Sequence, residues 1–115
     1  FVEDPDSVNI MADAPLIRYD KQFEPAGTNV NYAALKGDEI YVRTYEKGVE
    51  AETLSCGTGV TATAIAASLN TGTKRFKIRT KGGILKVSFD KEGDKFCNVQ
   101  LEGPAVKVFS GKFNL

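Results

Sequence analysis

Hydrophobic and polar positions alternate along much of this chain, and one long uncharged segment interrupts the alternation. In Glu39–Tyr45 (EIYVRTY), Ile40, Val42 and Thr44 alternate with Glu39, Tyr41 and Arg43. That two-residue period belongs to a strand with one buried face. Asn29–Leu35 (NVNYAAL) reads as a neighbouring strand, with Lys36, Gly37 and Asp38 as the turn between them. Farther along, RFKIRT, ILKVSFD, FCNVQLEG, AVKVFSG and KFNL are short strand-like runs. Gly82–Gly83, Asp90–Asp94, Gly103, Pro104 and Gly111 separate them as turns. About seven strands are expected.

Two segments follow a helical period instead. Asp13–Phe23 brings Leu16, Ile17, Tyr19 and Phe23 together after a cap at Asp13, and Pro25 and Gly27 stop it. A charged loop, Glu46–Glu52, leads to a second helix over Gly59–Asn70, with Gly72 suited to the left-handed position beyond its end. This second helix carries no charge on any side: Val60, Ala62, Ala64, Ile65, Ala66, Ala67 and Leu69 are interrupted only by Thr61, Thr63 and Ser68. A helix without a polar face must be covered all round. The expected fold class is therefore α+β, with mostly antiparallel strands curled as a barrel-like sheet around one buried central helix, plus one short helix.

Composition narrows the possibilities. The 115 residues are enough for a single domain over 1–115, without internal repeat or linker. Fifteen Lys and Arg balance fifteen Asp and Glu, leaving no basic excess for a nucleic-acid partner. With no His and two Cys, no set of zinc ligands is available, and no metal is expected. The longest uncharged stretch, Thr53–Thr73, is rich in Thr, Gly and Ser rather than apolar throughout, so no membrane span is expected. No signal peptide is visible ahead of FVEDPD, and the thiols are expected to be free in a reducing cytoplasm.

Candidate chemistry centres on Cys56, which precedes Gly57, Thr58 and Gly59 at the start of the uncharged helix. Backbone N–H groups there lack intrahelical partners and favour negative charge, a setting that lowers a thiol pKa. The two glycines leave room for a ligand carboxylate at the main chain. A thiolate beside a carboxylate cradle suits removal of an α-proton from an amino acid, since the resulting charge spreads onto the carboxylate. Taken alone, CGTG is also compatible with a tight turn and a structural cysteine. Acyl transfer through Cys56 lacks the histidine base it needs.

The surrounding residues extend the pattern. Arg43–Gly59 (RTYEKGVEAETLSCGTG) resembles the diaminopimelate epimerase family, and so do IRYDKQFEPAGTNVNYA upstream and VQLEGPAVKVFSG downstream. The resemblance implies the C-terminal domain of a cofactor-independent epimerase that works with two cysteines on opposite faces of its substrate. It implies catalytic roles for Cys56 and Glu46, and substrate contacts for Asn29, Glu46, Lys47, Gly57 and Thr58. Lys47 stands where the family usually has Arg for the distal carboxylate; it keeps the charge and loses the bidentate fork. The second cysteine, and the Pro-His pair that assists the thiols, are expected in an N-terminal domain absent from these residues. Cys97, in a strand, is expected to be structural. The expected partners are diaminopimelate and that missing domain, with homodimerisation left open. A proline or hydroxyproline racemase-like enzyme and a non-catalytic interaction module are the alternatives. The basic run Lys74–Lys81 is read as a solvated strand face, and Glu50 and Glu52 as loop charges.

Overall fold

The computed structural model describes residues 1–115 and shows an α+β chain. Six strands form one mixed sheet: β1 (Val30–Lys36), β2 (Glu39–Glu46), β3 (Ala51–Thr53), β4 (Arg75–Thr80), β5 (Gly83–Glu92) and β6 (Lys95–Glu102). Their order is β1-β2-β4-β5-β6, with β3 paired to the end of β2. Neighbours are antiparallel except β2 and β4, which run parallel over Glu39–Tyr41 and Lys77–Arg79. The helix α2 (Gly57–Thr71) makes the crossover between β3 and β4, the longer connection that parallel strands require.

Alternation decides which side chains meet α2. Ala33, Ile40, Val42, Phe76, Ile78, Val87 and Phe89 form the main core with Val60, Ala64 and Ala67 of the helix. The reverse face of β1 and β2 packs Val30 and Tyr45 on Ile10 and Ala14 of α1 (Ile10–Arg18). In β4, Phe76, Ile78 and Thr80 are buried while Arg75, Lys77 and Arg79 are exposed, as the basic-face expectation had it.

Several expectations need correction. The sheet is open, not barrel-like: β1 and β6 are both edges. AVKVFSG and KFNL are not strands, because residues 103–115 have no regular structure and are exposed throughout. Helix α2 is covered on one side only: Gly59, Val60, Thr63, Ala64, Ala67 and Ser68 are buried, but Thr58, Ala62 and Leu69 are exposed. The first helix begins earlier than its Asp13 cap predicted, with Asn9 at the N-cap, and Lys21–Phe23 is a separate 3-10 turn. Gly72 closes α2 with φ of 71°, as its position suggested. No helix is long and apolar enough to cross a membrane.

Candidate functional site

The hairpin of β2 and β3 delivers the chain to α2. Tyr45 pairs with Glu52 and Glu46 with Ala51, so the segment from Lys47 to Glu50 is a turn at the end of the hairpin. After β3 only Leu54 and Ser55 separate the sheet from Cys56, which is the N-cap of α2 with extended φ and ψ of −132° and 110°. Val60 N–H closes the first helical bond onto the Cys56 carbonyl at 2.9 Å. The N–H groups of Gly57, Thr58 and Gly59 precede it and have no intrahelical acceptor. Cys56 is buried, with its Sγ 3.4 Å from Thr58 Oγ1 and 3.9 Å from Asn29 Nδ2.

Asn29 joins the thiol to the turn. Its Oδ1 accepts from Lys47 N–H at 2.8 Å, and because a backbone N–H is only a donor, the amide oxygen must face Lys47. The amide NH2 is thereby presented to the sulfur. Lys47 donates its Nζ to the Ala26 carbonyl at 2.8 Å. Glu46 ends β2, and its carbonyl accepts from Val49 N–H at 3.2 Å and Glu50 N–H at 2.8 Å. Asn29, Lys47, Thr58 and Cys56 are thus joined by direct contacts, while Glu46 precedes Lys47 and bonds through its carbonyl to the turn residues Val49 and Glu50.

Gly57 and Gly59 are also points of close packing. A Cβ on Gly59 would collide with the Asn31 amide, and Thr44 Oγ1 would lie 3.4 Å away. Gly59 is small because β1 and β2 press against the helix start, where Thr44 Oγ1 donates to Asn31 Oδ1 at 2.7 Å. A Cβ on Gly57 would meet Leu101 at 3.0 Å.

Arg43, on the polar side of the strand alternation, and Glu50 and Glu52, which read as loop charges, each hold part of this region. Arg43 is buried and forks onto Glu52, Nε to Oε1 at 2.7 Å and Nη2 to Oε2 at 2.9 Å. Its Nη1 donates to the Pro5 and Val8 carbonyls. The Arg43 hydrogen bonds, with help from Lys81, hold the Glu52 carboxyl below its ordinary range. Glu50 is braced by α1: Arg18 and Tyr19 both donate to it. The Tyr19 hydroxyl, Gly48 N–H and Arg18 together lower its pKa from 4.5 to about 2. The sequence signal is the pair of acidic residues flanking Ala51; the β2–β3 register sets Glu52 opposite Tyr45, two residues along β2 from Arg43. Cys97 lies in β6, where burial, followed by Glu92 and Asp90, raises its pKa, and its Sγ is 3.8 Å from the Asp90 carbonyl. Both cysteines are free thiols.

Fold and site together define an α+β domain that offers one buried thiol at a helix N-terminus, with an amide and a cationic turn beside it. The diaminopimelate epimerase family model matches residues 1–108. The chain is 42% identical to the diaminopimelate epimerase of Methanocella arvoryzae over 116 residues, covering all of this chain and 40% of that protein. It is 42% identical to that of Flavobacterium psychrophilum over 112 residues, 95% of this chain and 44% of that one. For Archaeoglobus fulgidus the figure is 47% over 100 residues, 86% and 34% of the two chains. This chain belongs to the diaminopimelate epimerase family. It spans about 40% of the length of the curated relatives it matches.

Proposed function

We propose that these residues are the Cys56-bearing C-terminal portion of a cytoplasmic epimerase that interconverts LL- and meso-diaminopimelate without pyridoxal phosphate, serving lysine and peptidoglycan precursor synthesis. The observation that carries this is the placement of Cys56 at the α2 N-terminus, its sulfur 3.9 Å from the Asn29 amide. The Cys56 thiolate removes the α-proton, and the C–H electron pair passes into the α-carboxylate. A thiol on the opposite face, from a part of the protein outside these residues, returns a proton to the α-carbon and inverts it. In the reverse direction the two sulfurs exchange roles. Gly57 and Thr58 N–H groups receive the charge that develops on the carboxylate, in a geometry set before reaction. Asn29 and Glu46 contact the substrate, and Lys47 holds the distal carboxylate from the turn.

In the full-length protein, Cys56→Ala lowers kcat by about a hundredfold to ten-thousandfold, the span of one positioned proton-transfer group. An unchanged kcat would remove Cys56 from the mechanism. The 115-residue chain alone, with a thiol for one face only, does not invert the substrate. Inversion with solvent deuterium at the α-carbon, catalysed by this chain in D2O, would refute that.

A further inference from the structure

We infer that Glu50 is a positioning residue, whose carboxylate clamps the Lys47–Glu50 turn to α1 and thereby sets where Lys47 stands relative to Asn29 and Cys56. The inference rests on the proposed epimerase site and adds a residue to which no role there was given. Glu50 adopts φ of 57°, a left-handed conformation that a non-glycine residue holds only when its surroundings fix it. Its carboxylate accepts five hydrogen bonds. Oε1 takes Arg18 Nε at 3.1 Å, Arg18 Nη2 at 2.8 Å and Gly48 N–H at 3.0 Å. Oε2 takes the Tyr19 hydroxyl at 2.6 Å and the Tyr45 hydroxyl at 3.4 Å.

The same clamp reaches the other side of the site. The Arg18 guanidinium presses on Gly27, where a Cβ would collide with it and would also meet the Lys47 stem at 3.3 Å. Gly27 has φ of 68°, which suits a residue with no side chain. Arg18 therefore braces the Ala26–Asn29 loop while Glu50 braces the turn, and Lys47 spans the two through the Ala26 carbonyl and the Asn29 amide. Cys56 is held separately by α2. Loss of the clamp releases Lys47, with little effect on the thiol.

The test uses the full-length protein and the variant Glu50→Gly, which keeps the left-handed backbone accessible and removes the side chain with its carboxylate, beside Arg18→Ala, which opens the same clamp without altering the turn backbone. Two readouts are taken: hydrogen exchange at the Lys47 amide, and steady-state kinetics on diaminopimelate. Exchange at Lys47 is expected to accelerate about tenfold or more, the scale of losing hydrogen bonds to a charged group, while core amides at Ile78 and Val87 do not change. KM is expected to rise about tenfold with kcat within about threefold, the pattern of lost ground-state binding. Arg18→Ala should reproduce both changes, and the double variant should be no worse than either single one, because both substitutions open the same clamp. Unchanged exchange at Lys47, or a KM within about twofold of the parent value, overturns the proposal. If the parent protein turns over no diaminopimelate, the functional reading fails by itself, and the exchange result alone decides the clamp.

Discussion

Gly59 sits where three elements converge, and its missing side chain is explained by the protein's own packing. Asn31 and Thr44 are directly paired across β1 and β2, and their hydrogen bond lies against the Gly59 α-carbon. Gly59→Ala gains helix propensity of up to about 1 kcal/mol but forces the Asn31 amide aside, so net stability should fall by about 1 to 2 kcal/mol, as overpacked cores do. Combining it with Asn31→Ala makes room for the methyl group, so the double variant should be less destabilised than the sum of the singles. Urea denaturation of the four proteins checks this, and strict additivity would show that the two residues do not press on each other. At Arg43 the sign is simpler. Arg43→Met leaves Glu52 half-buried with only Lys81 as partner and two carbonyls unpaired, and should cost about 3 kcal/mol in the same assay. Neither packing was legible from the sequence, because CGTG names the turn and not its neighbours. The cysteine at the helix start was legible, since an uncharged run rich in Ala, Val, Ile and Leu follows it directly and ends at Gly72.

At the scale of elements, the β2–β3 hairpin and α1 are joined through a carboxylate whose protonation weakens the joint. The Tyr19, Gly48 and Arg18 hydrogen bonds hold Glu50 at about 2 in the folded chain against an ordinary 4.5. A depressed folded pKa means stability that is complete above the unfolded value and lost as pH falls through the folded one. Stability should therefore decline from about pH 5 toward pH 2, and Glu50→Gln should flatten part of that decline. Parallel acid titrations of unfolding free energy, parent against variant, measure the difference; identical slopes would mean that Glu50 takes no part. The Glu52 carboxyl, lowered by Arg43, steepens both curves alike. The longer elements were largely legible here: β1, β2, β4 and β6 fall within a residue or two of their expected bounds, β4 and the first half of β2 because they alternate in burial, and β1 and β6 because turn residues bound them. The three residues of β3 (Ala51–Thr53) carry none, so their pairing looked like a charged loop. The open sheet was not legible either. An uncharged helix shows that cover is needed, and says nothing about which polypeptide supplies it.

The whole molecule exposes more surface than its size warrants. Its accessible area is 7934 Å², whereas a compact monomer of 12.5 kDa has about 6,200 Å². Its radius of gyration is 15.9 Å with extents of 50 × 33 × 29 Å, against about 13 Å for a compact chain of this length. Residues 103–115 add to both quantities. They are exposed throughout, with Val106, Val108, Phe109 and Phe113 each more than four-fifths accessible, and none of them belongs to either hydrophobic cluster. An apolar segment in that state contributes exposure rather than stability, so the chain should fold equally well without it. Truncation after Ala105 keeps the Gly103 contact with Leu85 and should change unfolding free energy by no more than about 0.5 kcal/mol. Small-angle scattering should show the radius of gyration falling from 15.9 Å toward about 13 Å. A loss of stability beyond about 1 kcal/mol, or an unchanged radius, would mean that the segment packs on the body in solution. In that case the exposed side of α2, with Ala62 and Leu69 outward, would be the first place to look for the contact.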